Sequence, residues 1–333
     1  LVLIWIPLLI VFLLKKDNRQ QYSIHGYAQG TDYSIKYFAR DSIVTQKAVD
    51  SILLQIDSSM SLYKSYSLIN KFNTSAEGVE LDNHFLKVVK KSFEISKATN
   101  GVFDITVKPL VQAWGFGSKP ILHFPDSLTI NQIMPCVGMQ NLTLRGPFLT
   151  KKKPCVQIDV NGIAQGYSVD VVADFMIKKG VKSFVVEIGG ELRIKGVKPD
   201  GSYFRIGIEG PANAGETEPT MKHVIQLHAG AITTSGSYRK FLQQGSKRIS
   251  HLINAKTGYP LQNSMISVTL YAKDAITADG YDNAIMAMEP LEALRFIKSH
   301  KGLECYLIYH NSDGSVADTL SAGFKRLIIN NNI

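Results

Sequence analysis

Three cysteines in 333 residues, Cys136, Cys155 and Cys305, are too few and too far apart to define a cysteine framework. No C-x-x-C pair occurs, so a structural zinc site is not supported, and any single disulfide leaves one thiol over. Blocks of like charge are also missing. The net charge of +9 comes from 37 basic and 28 acidic residues dispersed along the chain. The one basic triplet, Lys151–Lys153, runs into Pro154 and reads as a solvated turn. Clustered Lys and Arg interleaved with aromatics are absent, so the chain carries no nucleic-acid footprint. Acidic phosphate ligands and a membrane surface remain compatible with the charge. No internal repeat is present.

One apolar run stands out, Leu1–Leu14, followed by Lys15, Lys16 and Arg19. Fourteen residues are short for a membrane span and typical of a signal-peptide core. Residues 1–20 are therefore expected to be a signal or N-terminal membrane anchor, and residues 21–333 one domain. The expected location is extracytoplasmic, either exported or anchored in the inner membrane on its periplasmic face. No cysteine follows the run, so a lipid-modified anchor is not supported. The basic residues behind it run against the positive-inside rule, which leaves orientation open. The rest is 45% hydrophobic and 20% charged over the whole chain, the balance of a globular protein with a sizeable core.

Periodicity predicts a strand at 33–38 and helices at 45–56 and 83–98, the second with Asp82 as cap and Gly101 beyond its end. Residues 17–42 open as polar linker. Residues 119–154 are rich in proline and turns, with a small helix at 126–132. A helix at 162–179 precedes a hairpin, 183–188 and 191–197, turned by Gly189-Gly190. Strands follow at 203–209, 222–228, 248–253, 265–272 and 304–309, with helices at 277–288 and 291–299. The short connections imply antiparallel pairing, and the mixed order an α+β fold.

Three constellations carry chemistry. Asp159-Val-Asn-Gly-Ile-Ala-Gln-Gly-Tyr-Ser puts a carboxylate and two glycines at a helix start, whose free N–H groups favour a phosphate. A plain turn with Asp159 as cap fits the same residues. Asp279 and Asn283 lie four apart on one helix face, beside Asp282, and oxygens so placed suit Mg²⁺; a solvated helix face fits equally. The small neighbours Ala278, Gly280, Ala284 and Ala287 favour close packing there. His251, before Asn254-Ala-Lys-Thr-Gly-Tyr-Pro, is a candidate general base, although a strand histidine is commonly structural.

Taken together, these segments resemble the ApbE family, the FAD:protein FMN transferases. The resemblance spans roughly residues 26–310 in the family's order. It begins at Gly26–Tyr33 and continues through the M-S-x-Y-x-x-x-S stretch from Met60. It includes Gly101–Val111 with Trp114-Gly-Phe-Gly, Asp159–Tyr167, Ile188–Arg193, Thr234–Phe241, His251–Pro260 and Ala278–Ala287.

The resemblance implies mostly antiparallel sheets with packed helices and an FAD cleft between two halves. It places Tyr63 against the flavin and Phe103, Asp104 and Ile105 along the cleft. Asp159 and Gln165 match positions that hold the nucleotide, Ile253 should lie along the FAD, and Gln29 stands where the family's cleft has Met. The Ala164 carbonyl, Asp279 and Asn283 match the metal ligands, and His251 the base. Asn283 replaces a Thr, Gln165 a common Lys, Asn254-Ala255 a frequent Asp-Pro and Ser237 a common Asp. An amide oxygen still ligates a hard cation, so metal binding is expected to survive.

The implied activity is Mg²⁺-dependent transfer of FMN from FAD to a Ser or Thr hydroxyl, with release of AMP. Its implied partners are flavin-acceptor proteins with a short Asp-x-x-Ser/Thr-Gly/Ala-Thr-like motif, such as subunits of membrane redox complexes. Two alternatives use the same residues. One is an FAD pyrophosphatase giving FMN and AMP; the other is a non-catalytic exported FAD-binding protein.

Overall fold

The computed structural model describes residues 17–212, 219–237, 241–244 and 247–329. The apolar run Leu1–Leu14 lies outside the described residues, as do Tyr238–Lys240 of the 234–241 motif. Among the described residues no helix is long and apolar enough to cross a membrane.

The chain opens with the antiparallel hairpin β1 (Gln20–Ala28) and β2 (Thr31–Ala39). The helices α1 (Gln46–Met60) and α2 (Leu68–Thr74), the short strand β3 (Gly78–Glu80) and the helix α3 (Asn83–Ala98) follow. Next come the short helices α4 (Lys108–Ala113) and α5 (Ser127–Ile133), and the strands β4 (Leu142–Arg145) and β5 (Phe148–Lys151). The long helix α6 (Asn161–Lys178) leads into β6 (Ser183–Ile188) and β7 (Glu191–Lys195). Then follow β8 (Phe204–Gly210), β9 (Thr220–Leu227), β10 (Ala229–Gly236), β11 (Phe241–Gln244), β12 (Lys247–Ser250) and β13 (Met265–Ala272). The chain finishes with α7 (Ala275–Ile285), α8 (Pro290–Ser299), β14 (Glu304–His310), β15 (Val316–Leu320) and α9 (Ala322–Lys325).

Eight strands form the main sheet in the order β1-β2-β6-β7-β10-β13-β14-β15, every pair antiparallel. Side chains alternate across a strand, and β6 shows the consequence. Phe184, Val186 and Ile188 enter the large core under α1, α3, α6 and α7, while Val185 packs against a second core on the opposite face. That second core is closed by the β8–β9 ribbon and by Phe324 of α9. A third, smaller cluster gathers Leu110, Trp114, Ile130, Val137, Ile249 and Ala255. The architecture is the expected α+β with mostly antiparallel sheets.

The helix starts were legible because they carry their caps. Thr45, Asp82 and Asp126 each accept a hydrogen bond from the backbone N–H three residues on. Other elements correct the sequence reading. The polar opening is not linker but β1, an edge strand whose outer side tolerates polar residues. A strand that periodicity did not mark, β10, lies near the middle of the sheet. Its A-G-A-I-T-T-S-G sequence has Ile232 as its one large apolar residue, turned into the second core, and α7 packs across the strand. The strand expected at 248–253 ends at Ser250, whose Oγ accepts from Leu252 N–H at 3.1 Å. Cys136 and Cys155 form a disulfide that staples the turn-rich region, leaving Cys305 as a buried free thiol.

Candidate active site

Asp159 sets the start of α6. Its Oδ1 accepts from Asn161 N–H at 2.8 Å, and its own N–H donates to the Ile105 carbonyl at 2.7 Å. The helix bends at once, because Gly162 sits at φ −82°, ψ 17°. It then crosses α7 at close range. Gly166 N–H donates to Asp279 Oδ2 at 2.8 Å, and Asn283 Nδ2 donates to the Gly162 carbonyl at 3.3 Å. A Cβ on Gly166 would stand 2.7 Å from that of Asp279, so the crossing requires glycine. Ala164 lies between the two contacts, and its carbonyl accepts from Ser168 Oγ at 2.8 Å. The expected metal ligands Ala164, Asp279 and Asn283 thus belong to one helix–helix junction.

Charge at this junction is concentrated and dry. Asp279 is 4% exposed, and its carboxyl is pushed up to about 7, mainly by burial, with Asp170 adding and the Gly166 N–H opposing. Asp282, 1% exposed, is also raised well above the ordinary carboxylate range, mainly by burial and then by Asp279 and Glu191. Two adjoining buried carboxyls without a neutralising ion are costly, and a divalent cation relieves that cost. The residues present therefore fit Mg²⁺. Among the described residues no group of three or more His, Cys, Asp and Glu converges on a cation position. The candidate site draws instead on one carboxylate, a backbone carbonyl and an amide. The amide is turned the other way from the sequence expectation. Asn283 Nδ2 donates to Asp279 O at 3.0 Å, Asp279 Oδ1 at 3.3 Å and Asp282 Oδ1 at 3.0 Å. Offering its oxygen to a cation requires a half-turn of the amide.

Gln165 connects this junction to the sheet. Its Nε2 donates to the Ile188 carbonyl at 3.0 Å, beneath Gly189, whose φ of 60° belongs to the turn between β6 and β7. Gly189 N–H reaches Asp32 O at 3.1 Å, which seats that turn on the β1–β2 turn. Gln29 occupies the latter at φ 56°, followed by Gly30 at φ 80°. Its amide bonds the Asp57 carboxyl of α1, opposing the upward shift that burial gives that acid. Tyr63, just beyond α1, is 72% exposed and available to stack on a planar ligand.

Phe103 and Ile105 are buried in the large core. Asp104 between them accepts from Thr106 N–H at 2.7 Å, Thr106 Oγ1 at 2.5 Å and Met139 N–H at 3.0 Å. These contacts tie the segment at 104–106 to Met139.

His251 follows β12 and leads into the bridge between Ile253 and Pro260. Leu252 packs against the large core and Ile253 against the third cluster, whose Phe116 also meets the His251 ring. The two rings meet edge-on, with centroids 6.2 Å apart. Trp114 Nε1 donates to the Gly258 carbonyl at 2.8 Å, fixing the loop beyond. A polar cavity of about 350 Å³ opens where Asn254, Thr257 and Asn263 of this loop meet Ala287, one turn past Asn283. Asn263 Nδ2 ties the two together through the Met286 carbonyl at 2.7 Å. A larger cleft of about 760 Å³, lined by Pro290, Leu294 and Tyr309 among others, includes none of the candidate residues.

The sequence reading missed Lys108. Its Nζ donates to Gln157 Oε1 at 2.8 Å, and Asp159 opposes the downward shift that burial imposes on it. The missed signal was a lone cation inside the Gly101–Val111 segment already singled out.

Comparison with known proteins bears on the family and the fold. The model of the ApbE family matches residues 29–307. The FAD:protein FMN transferase of Vibrio cholerae is 34% identical over 314 residues, covering 92% of each chain. Among solved structures, the flavin transferase ApbE from Vibrio cholerae superposes with a TM-score of 0.84 at 34% identity, covering 93% of this chain and 99% of that one. The apo flavinyl transferase ApbE of Pseudomonas stutzeri gives 0.81 at 30% identity, over 93% and 97%.

Proposed function

The chain belongs to the ApbE family, and we infer that it transfers FMN from FAD to a Ser or Thr hydroxyl of a partner protein, releasing AMP. The carrying observation is the junction of α6 and α7. There Asn283, bonded to the buried acids Asp279 and Asp282, lies one helical turn from Ala287, which lines the polar cavity formed with the loop after His251.

FAD as substrate would lie between the large core and the third cluster, with Tyr63 against the flavin and Ile253 alongside. Asp159 and Gln165 would hold the nucleotide, and Lys108 adds a cation near its anionic part. Ala164, Asp279 and Asn283 would hold Mg²⁺, which when bound offsets charge developing at the phosphoanhydride. His251 accepts the proton of the attacking hydroxyl. The hydroxyl oxygen forms a bond to the FMN-side phosphorus, the phosphoanhydride bond breaks, and the AMP oxygen leaves with the electron pair.

An extracytoplasmic location, with Leu1–Leu14 as signal or anchor, belongs to the same reading. The Cys136–Cys155 disulfide supports it, since such bonds persist in oxidising compartments. Acceptors are then flavin-bearing subunits of membrane redox complexes carrying the short Ser/Thr motif. FAD labelled separately in its flavin and adenine halves tests the reaction. Flavin label on the acceptor protein and adenine label in free AMP are expected. Both labels free in solution would mean hydrolysis, and neither released would mean binding alone.

A further inference from the structure

The contacts between α6 and α7 repeat at helical spacing. Asn283 meets Gly162, and Asp279 meets Gly166, four residues further along α6 and four residues back along α7. One further step of four in each direction reaches Asp170 and Ala275. There Asp170 Oδ1 accepts from Ala275 N–H at 3.0 Å and its Oδ2 from Ile276 N–H at 2.9 Å. The two helices therefore run antiparallel and are joined by three rungs, one per turn.

The Asp170 rung differs from the others. It is 7% exposed, and its carboxylate also pairs with the Arg193 guanidinium of β7. The N–H groups it receives are the first two of α7, donors without partners inside their own helix and at its positive end. Asp274, the helix's own cap, serves Thr277 N–H at 3.1 Å and leaves those two to Asp170. A single carboxylate thus fixes the start of α7 against the middle of α6 and the middle of β7.

We propose that Asp170 is a positioning residue: it sets the register of α7 on α6, and so aims Asp279 and Asn283 at the Ala164 carbonyl to form the cation site. A slip of one residue moves a helix about 1.5 Å along its axis and turns each side chain by about 100°. The three oxygens could not then share one ion. The inference rests on the metal role assigned to this junction under the proposed function.

The test is Mn²⁺ affinity, read by the loss of the free-ion EPR signal, for the full chain and three variants. In Asp170→Asn, two backbone N–H groups and a guanidinium face an amide with one oxygen. Its Mn²⁺ affinity is expected to fall by about 10- to 100-fold, the range seen when groups behind metal ligands are lost. Arg193→Gln removes one arm and is expected to give a smaller loss, which keeps the test open if Asp170→Asn does not fold. Phe324→Leu, in the second core, should lower Tm while leaving Mn²⁺ affinity unchanged, separating stability from positioning. Folded Asp170→Asn or Arg193→Gln binding Mn²⁺ within twofold of wild type overturns the proposal alone. Wild-type protein that takes up no Mn²⁺ overturns the metal reading, and the proposal with it.

Discussion

Replacing Asp279 by Asn should make the metal-free protein more stable while abolishing its response to metal. Asp279 is 4% exposed, and its carboxyl is pushed from 3.8 to about 7. Between those values the native state binds more protons than the unfolded chain, so metal-free stability falls as pH rises from about 4 to about 7. Each tenfold change in proton affinity corresponds to about 1.4 kcal/mol, so the roughly thousandfold change here sets an upper bound of about 4 kcal/mol at neutral pH. The amide keeps the shape, and the bond from Gly166 N–H is already contained in the net shift. The expectation for Asp279→Asn at pH 7.5 is therefore a gain of up to about 4 kcal/mol. Saturating Mg²⁺ acts oppositely: at a hundred times its Kd it stabilises the wild type by about 2.7 kcal/mol, and the variant by nothing. Calorimetry at pH 5 and pH 7.5, with EDTA or with Mg²⁺, reads each of these effects. A metal-free Asp279→Asn protein no more stable than wild type at pH 7.5 would refute the reasoning, as would a Mg²⁺ response that survives the substitution.

Other expectations follow from single contacts. Gly166→Ala places a methyl against the Ala275 carbonyl and the Asp279 side chain, and should cost about 1–3 kcal/mol in denaturant unfolding, with loss of transfer. Cys136→Ser with Cys155→Ser removes a crosslink spanning 19 residues, and chain-entropy reasoning expects a loss of about 3 kcal/mol, seen as a lower Tm. Cys305, buried and pushed up to about 12, should stay unreactive to a thiol reagent in the native protein and react only on unfolding. His251→Ala should slow flavin transfer by about 10²- to 10⁴-fold while FAD affinity measured by flavin fluorescence stays within a few-fold.

The parts legible in the sequence were those governed by neighbours along the chain. Asp82 and Asp126 announce their helices because a cap acts over three residues. Gly189-Gly190 announces the hairpin because both residues require positive φ, at 60° and 105°. The motifs around Asp159 and Asp279 pointed to two segments that the structure packs together as α6 and α7. What pairing across more than a hundred residues determines was hidden. The rungs joining Gly162 to Asn283 and Asp170 to Ala275 cannot be read from either helix alone. Asp170 left one trace, an acid set within the apolar face of Val169, Val172 and Ala173. The central strand β10 was obscured by its small residues, which serve the helix above it rather than a strand pattern. The orientation of the Asn283 amide follows from four surrounding acceptors drawn from α6 and α7 together.

The most direct test is intact-mass spectrometry of an acceptor domain bearing the Ser/Thr motif, incubated with this protein, FAD and Mg²⁺. A gain equal to one FMN that disappears when the acceptor hydroxyl is removed is the predicted result. An acceptor of unchanged mass, with FAD bound and Mg²⁺ present, would contradict transfer to protein.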